Sequence, residues 1–279
     1  METIIRRVDI NNIDNNIIVE AANILQNGGL VAFPTETVYG IGANSLEIDA
    51  VKKIYMAKGR PSDNPLIVHV AGKEDVKKYV TNISMTAEKL MDRFWPGPLT
   101  LIFEKKDIIP DNITGGLSTV AIRMPSHKIA RSIIEASNLP IAAPSANVSG
   151  KPSPTMAKHV INDLSGKVDM IVDGGFSEIG LESTVLDVSG TTPTILRPGG
   201  ITKEMLEEVI GSVSIDPAIK SSNKNLVPKA PGMKYRHYAP NAELIVFKGK
   251  SDKVVSHINE LVNIEQQKDK KIGVIATKQ

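Results

Sequence analysis

Cysteine is absent from the 279 residues of the chain. Its absence excludes disulfides, thiolate metal sites, iron–sulfur clusters and cysteine nucleophiles. Aromatic residues make up only 4% of the chain, which counts against recognition of nucleic-acid bases by stacking. Neither sign of charge dominates, because 33 Lys and Arg residues stand against 31 Asp and Glu. The net charge of the chain therefore does not indicate a protein that binds nucleic acid through general electrostatic attraction.

Long hydrophobic runs are also missing. No stretch approaches the roughly 18 apolar residues that a membrane span requires. Residues 1–12 carry charge without the apolar run of a signal peptide, so we expect a cytoplasmic protein. Hydrophobic residues make up 41% and charged residues 23%, which is typical of folded globular proteins. The length predicts one large domain or two unequal ones.

Helical and strand patterns alternate along residues 1–212, and consecutive strands follow near the end of this range. This order predicts an α/β domain with a twisted sheet of parallel and antiparallel strands, flanked by helices. Helices are predicted over 17–25, 50–57, 84–93, 126–136, 155–164 and 202–210. Strands are predicted over 30–33, 66–70, 99–103, 119–124, 141–143, 170–173, 183–188 and 194–196. The Gly- and Thr-rich stretch 34–42 is predicted to be a functional loop.

The second part of the chain has a different composition. Residues 213–240 form a Pro-rich basic linker between the first domain, 1–212, and a partial α/β domain, 241–279. The linker carries five basic residues and no acidic ones after residue 217, which is a pattern suited to a lid over an anion. Strands over 243–247 and 271–276 around a helix over 253–262 predict a small βαβ fragment, which is small for an independent core.

Polar loops at strand ends are the places where α/β proteins bind ligands. Lys58 and Arg60 flank a glycine, an arrangement that fits either a solvated helix end or a phosphate clamp. Ser145 and Asn147 follow a strand among small residues, which allows close approach to a ligand or forms an ordinary turn. Arg123 lies within a predicted strand, where an inward-pointing guanidinium must find an anion.

The histidines, the hydroxyl groups and a further arginine limit the kinds of site that the chain can form. His69 lies in a predicted strand, where a single histidine is more often structural than catalytic. The five histidines lack ligand spacing, so we expect no metal site built from protein side chains. Hydroxyl groups at 183–184 and an arginine at 197 add donors near strand ends. Arginines and hydroxyls without a nucleophile and base pair are typical of a site for a phosphorylated or carboxylated ligand.

Several motifs appear in one order along the chain. They are FPTETVYG (33–40), KGR (58–60) with NPL (64–66), WPGPLT (95–100), APSAN (143–147) and RPG (197–199). This set resembles the YrdC-domain family of threonylcarbamoyl-adenylate synthases, over residues 20–205 almost continuously. The stretch 230–240 further resembles the linker of the two-domain branch of that family. The part after residue 240 is shorter than that branch's second domain.

The resemblance implies an enzyme that joins L-threonine, bicarbonate and ATP into threonylcarbamoyl-adenylate and pyrophosphate. Magnesium is expected with the ATP phosphates, which supply its ligands. The family's Lys-x-Arg pair falls on Lys58 and Arg60, the expected catalytic residues. The implied ATP-binding residues are Arg60, Asn64, Thr119, Ser145, Asn147, Ser153, Arg197, Arg236 and His237. The implied threonine-binding residues are Thr37, His69, Arg123, Ala143 through its backbone, and Ser183.

The implied product is the activated precursor of threonylcarbamoyladenosine in tRNA, so the expected partners are the downstream transfer machinery and a weak contact with tRNA. Two alternatives remain open. YrdC-like domains also occur in hydrogenase-maturation carbamoyltransferases, which adenylate carbamoyl phosphate and carry acylphosphatase and zinc-finger modules. A binding module without chemistry would instead hold RNA or a nucleotide on a basic face, with a steep dependence on salt.

Overall fold

A mixed sheet forms the centre of the computed structural model, which describes residues 2–219 and 242–276. The strands are β1 (Ile4–Arg7), β2 (Val31–Phe33), β3 (Gly40–Asn44), β4 (Ile67–His69), β5 (Leu99–Glu104), β6 (Thr119–Arg123), β7 (Ile141–Ala142), β8 (Met170–Asp173), β9 (Thr184–Asp187), β10 (Thr194–Arg197) and β11 (Ser214–Ile215). Their order across the sheet is β1-β8-β2-β3-β7-β4-β6-β5-β9-β10-β11. Parallel pairs such as β4 with β6 lie beside antiparallel pairs such as β5 with β6, so the predicted mixed sheet is confirmed.

The helices lie between these strands in the chain. They are α1 (Asn15–Gln26), α2 (Ile48–Lys58), α3 (Val76–Tyr79), α4 (Met85–Phe94), α5 (Asp111–Thr114), α6 (Lys128–Ser137), α7 (Ala157–Leu164), α8 (Lys203–Ile210) and α9 (Ser251–Gln266). Side chains of Asp14, Ser84 and Thr202 cap α1, α4 and α8 by accepting from backbone N–H groups. The six helices predicted in residues 1–212 form within two residues of their predicted ends.

Two apolar layers cover the sheet. One layer packs Leu25 of α1 against Ile133 of α6 and the strand residue Phe33. The other contains Ile54 of α2 and Leu90 of α4. Because each helix buries one apolar stripe, the sheet is enclosed between helices and its strand ends are left to carry polar groups.

Three strands were not predicted. β3 begins at Gly40, inside the stretch predicted to be a loop, so the prediction of loop as far as residue 42 is wrong there. A Cβ at Gly42 would lie 2.6 Å from the Phe33 side chain and 2.9 Å from that of Ile141, so glycine allows the neighbouring strands to approach. β1 and β11 add edge strands at the two ends of the sheet, and β11 lies beyond residue 212.

The chain divides into two compact units, Met1–Ala239 and Pro240–Gln279. In the second unit the predicted helix is present as α9, but the described residues of 243–247 and 271–276 form no strand. The predicted βαβ fragment is therefore wrong in its strands, because a strand needs a partner and this short unit pairs neither segment. No helix in the described ranges is long and apolar enough to cross a membrane. Most of the predicted linker lies outside the described residues.

Candidate active site

A row of polar side chains crosses the sheet where β4, β6 and β5 are neighbours. His69 and Arg123 are paired in the parallel register of β4 and β6, and Arg123 is paired with Thr100 in the antiparallel register of β6 and β5. Paired residues point to the same face. Thr100 Oγ1 lies 2.7 Å from the hydroxyl of Ser183, which immediately precedes β9. Strand register thus collects residues that are far apart in sequence.

Arg123 is the centre of a buried hydrogen-bond network. Its side chain is 5% exposed, and Nη2 lies 2.6 Å from Oε1 of Glu36, which is 6% exposed. Nη1 donates to Oγ1 of Thr37 at 3.0 Å, and Nε donates to the carbonyl oxygen of Gly97 at 3.2 Å. The prediction that an inward-pointing Arg123 must find an anion is met within the protein by Glu36.

The charges of this region follow from burial. Burial alone would raise the pKa of Glu36, but the Arg123 guanidinium outweighs it and holds the pKa of that carboxyl below its usual value. Burial, helped by the Arg123 charge, lowers the pKa of His69 to about 3. His69 is therefore neutral at physiological pH. Its Nδ1 lies 3.2 Å from the carbonyl oxygen of Ile67, a contact in which the ring nitrogen donates.

Lys58 and Arg60 enter the site from the end of α2. Gly59 between them has φ of 59°, the left-handed conformation that lets the helix stop there. The Lys58 ammonium is buried and donates to the carbonyl oxygens of Ser145 and, at 2.6 Å, Asn147. Burial holds the pKa of Lys58 well below its usual range. In this structure Lys58 fastens the loop after β7 to the end of α2.

Two arginines complete the cationic side of the site. Arg60 Nη2 donates to the carbonyl oxygen of Pro65 at 2.9 Å. Arg197, at the end of β10, donates from Nη2 to the carbonyl oxygen of Ser183 at 2.9 Å and to its hydroxyl at 3.0 Å. Both guanidinium groups are therefore held by carbonyl oxygens beside a shared cavity, and such groups are suited to bind phosphate or carboxylate oxygens.

One cavity brings most of the predicted residues together. Its lining includes Thr37, Lys58, Arg60, His69, Arg123, Ala143, Ser145, Asn147, Ser183 and Arg197. Three further predicted residues do not line it. Asn64 is buried behind Arg60, Thr119 begins β6 about 13 Å of strand away from Arg123, and Ser153 bonds to Glu182. Arg236 and His237 lie outside the described residues.

Three residues of the site were missed by sequence reasoning. Glu36 pairs with Arg123, Thr100 bonds to Ser183, and Glu182 lines the cavity as its one carboxylate among the described residues. Glu36 had a signal, because a buried arginine requires an anion and Glu36 lies in one of the quoted motifs. Thr100 also lies in a quoted motif, but its residue type does not require a charged partner, and Glu182 has no signal that distinguishes it from other polar residues near strand ends.

Comparison with known proteins identifies the family and the fold. Residues 23–199 match the Sua5/YciO/YrdC family model, described as "Telomere recombination". The chain belongs to this family. Residues 201–279 match a second model, described as "Threonylcarbamoyl-AMP synthase, C-terminal domain". The resemblance to the YrdC-domain family is thereby confirmed, and the second match agrees with the two-domain branch.

Relatives in the Sua5/YrdC family share most of the chain. The threonylcarbamoyl-AMP synthase of Pyrococcus abyssi is 55% identical over 92% of this chain and 75% of its own length. That of Bacillus subtilis is 52% identical over 94% of this chain and 74% of its own length. The crystal structure of P. abyssi Sua5 complexed with L-threonine superposes with a TM-score of 0.95, at 53% identity, over 99% of this chain and 81% of that one.

Proposed function

We propose that this protein is a threonylcarbamoyl-AMP synthase, an enzyme that forms threonylcarbamoyl-adenylate and pyrophosphate from L-threonine, bicarbonate or CO₂, and ATP. The observation that carries the proposal is a single cavity that combines three arginines with hydroxyl groups and a neutral histidine. Within it we assign His69, Arg123 and Ser183 to an amino-acid half, and Arg60 and Arg197 to a phosphate half. Relatives more than 50% identical bear the synthase name, which favours this activity over that of a hydrogenase-maturation enzyme.

The reaction asks the protein to position reactants and stabilise charge. The neutral amino group of threonine forms a bond to the carbon of CO₂ and loses a proton, or forms it to the carbon of bicarbonate with loss of water. An oxygen of the resulting N-carboxylate then attacks the α-phosphorus of ATP. A bond forms between that oxygen and the α-phosphorus, the bond from the α-phosphorus to the bridging oxygen breaks, and pyrophosphate leaves with the electron pair. The nucleophile belongs to the substrate, so a site of guanidinium, hydroxyl and amide groups suffices.

Each half of the cavity has a defined task in this proposal. Arg123 pairs with the threonine carboxylate, and Thr37, His69, Ser183 and the Ala143 backbone surround the rest of the amino acid. Arg60 and Arg197 neutralise the phosphates, and the loop with Ser145 and Asn147, fastened by Lys58, bounds the adenylate. The proposal also keeps the remaining ATP-binding assignments, at Asn64, Thr119, Ser153, Arg236 and His237, because ATP is a long ligand that extends beyond the cavity.

Magnesium is part of the proposal as an ion that arrives with ATP. Among the described residues no group of three or more His, Asp or Glu side chains could hold a metal ion. Glu182 is the one carboxylate in the described lining, and it accepts from Ser153. This donor set fits an ion whose ligands come mainly from phosphate oxygens, and the ion would neutralise charge on the leaving pyrophosphate.

The product is a reactive mixed anhydride, so a transfer enzyme must consume it. We propose that the downstream tRNA-modifying machinery accepts the threonylcarbamoyl group in the cytoplasm and that this chain contacts tRNA weakly. The near-neutral balance of 33 basic against 31 acidic residues supports a weak rather than a strong contact.

Pyrophosphate release from ATP tests the function directly. We expect release that requires both L-threonine and bicarbonate. Arg60→Ala should lower the rate by about two orders of magnitude or more, because a group that stabilises developing charge is lost. Arg6→Ala is the matched control, since it removes an exposed arginine paired with Glu20. Salt-sensitive tRNA binding without pyrophosphate release would favour a binding module instead, and near-normal turnover by Arg60→Ala would contradict the assignment.

A further inference from the structure

The amino-acid half of the cavity contains a buried charge pair of which the proposed reaction uses only one member, Arg123. The Arg123 and Glu36 side chains are 5% and 6% exposed, and their charged atoms lie 2.6 Å apart. Arg123 is one of the residues that line the cavity, whereas Glu36 is not. The positive charge offered to a ligand is therefore cancelled in advance by a fixed carboxylate.

Glu36 is held in place by its backbone. The carbonyl oxygen of Glu36 accepts from the N–H of Ile179 at 2.9 Å, and that of Thr37 accepts from the N–H of Gly180 at 3.0 Å. The stretch 35–38 is fixed further by the Thr35 hydroxyl, which accepts from the N–H groups of Thr37 and Val38. The backbone that carries the Glu36 side chain is thus fixed on both sides, and the carboxylate bonds to Arg123 from there.

Two histidines, His69 and His127, lie beside this pair. Burial lowers the pKa of His127, which interacts with Glu36. His69 is buried and pairs with Arg123 across β4 and β6. Its imidazole is neutral at physiological pH, as shown above, and so adds no charge. The amino-acid half of the cavity is consequently close to neutral as a unit. A neutral unit with separated charges favours a ligand that is itself neutral with separated charges.

We propose that Glu36 is a specificity-determining residue that makes the cavity select the zwitterion of a neutral amino acid over a monoanionic carboxylate of the same shape. The inference rests on the proposed function, in which Arg123 binds the threonine carboxylate. Glu36 weakens the attraction of Arg123 for any carboxylate and adds attraction for an ammonium group. Phosphate, bicarbonate and simple carboxylic acids gain less from such a site than from an unpaired buried arginine.

A ratio of two affinities separates this role from a general loosening of the site. L-Threonine and (R)-3-hydroxybutyrate share the carboxylate, the hydroxyl and the methyl group, and differ in the ammonium group. A misplaced Arg123 weakens both ligands alike, so the ratio of their dissociation constants is unchanged. Removal of the Glu36 charge weakens the attraction for the ammonium group of L-threonine and strengthens the attraction for the net negative charge of (R)-3-hydroxybutyrate. The ratio of the two dissociation constants therefore changes.

Calorimetry on the full chain provides the test. The wild-type protein should bind L-threonine at least about tenfold more tightly than (R)-3-hydroxybutyrate. The reason is that attraction between two unit charges in a buried site, about one side chain apart, lowers a dissociation constant tenfold or more. Glu36→Gln should reduce this preference by about tenfold, and Glu36→Asp, which keeps the charge, should retain most of it. Glu20→Gln, which breaks the exposed pair with Arg6, is the control and should leave the preference unchanged.

An unchanged preference in Glu36→Gln would overturn the proposal, and so would a wild-type protein that binds both ligands equally. The wild-type comparison needs no substitution, so the proposal stays falsifiable should Glu36→Gln fail to fold. A wild-type protein that binds L-threonine but releases no pyrophosphate would refute the proposed function and leave the role of Glu36 intact.

Discussion

The buried imidazole of His69 should make the folding stability sensitive to mild acid. Its pKa is about 3 in the folded protein, against an ordinary 6.5 in the unfolded chain. Between these values the unfolded chain binds a proton that the folded protein does not, so stability falls as the pH falls through this window. The neutral His69 contributes on the order of 5 kcal/mol to the free energy of unfolding when the pH is well above 6.5, and about 2 kcal/mol of this contribution is lost between pH 7 and pH 5.

Urea unfolding at pH 7, 6 and 5 measures this effect. We expect the wild-type protein to lose about 2 kcal/mol more than His69→Gln over this range. His127 keeps some acid sensitivity in the variant, because burial lowers its pKa as well. Measurements stop at pH 5, because the contribution of Glu36 begins to fall once the pH drops below 4.5, the ordinary pKa of a glutamate, at which the unfolded chain takes up a proton first.

The control is His159→Gln, which removes an exposed histidine and should follow the wild-type curve. If His69→Gln loses as much stability as the wild-type protein between pH 7 and pH 5, the imidazole is not held neutral by burial and the reasoning fails. A variant that is less stable at pH 7 does not confuse the comparison, because the measured quantity is the change with pH within each protein.

Two substitutions test the supports of the site. Lys58→Met should lower the free energy of unfolding by about 2–6 kcal/mol, because the carbonyl oxygens of Ser145 and Asn147 each lose a buried donor. The same substitution should abolish pyrophosphate release. A free energy of unfolding in urea equal to that of the wild-type protein would contradict this prediction. Gly199→Ala should lower the thermal midpoint clearly, because the added Cβ would lie 2.3–2.5 Å from backbone atoms of 182–184. A Cβ at Gly200 would have its nearest neighbour at 3.5 Å, so Gly200→Ala should have the thermal midpoint of the wild-type protein. Equal midpoints for the two variants would contradict the packing argument.

The regular elements of the first unit could be predicted because burial leaves a periodic pattern. The apolar spacing of α1 and the Ser84 cap of α4 are local signals, and both helices form where they indicate. β1 escaped prediction because three of its four residues are exposed, so it has no apolar run. The strands predicted in the second unit had apolar runs but lack a pairing partner, which a local pattern cannot reveal.

The site was predictable only in part. Types of residue near strand ends indicated an anionic ligand, and ten of the predicted residues share one cavity. The pairing of Glu36 with Arg123 joins positions 87 residues apart, so no local spacing reveals it. The sequence is compatible with Lys58 at a solvated helix end or in a phosphate clamp, whereas the structure shows its ammonium bonded to the loop after β7. Such contacts depend on how distant loops meet.

Ser183 makes the two halves of the cavity parts of one network. Its hydroxyl lies 2.7 Å from Thr100 on the amino-acid side and accepts from Arg197 at 3.0 Å on the phosphate side. Under the proposed function, an Arg197 guanidinium that turns toward a phosphate weakens its bonds to Ser183 and frees that hydroxyl for the amino acid. Binding free energies linked in this way change reciprocally. The affinities of both ligands must therefore be measured for a substitution in either half, because an effect on one ligand does not place the residue beside it.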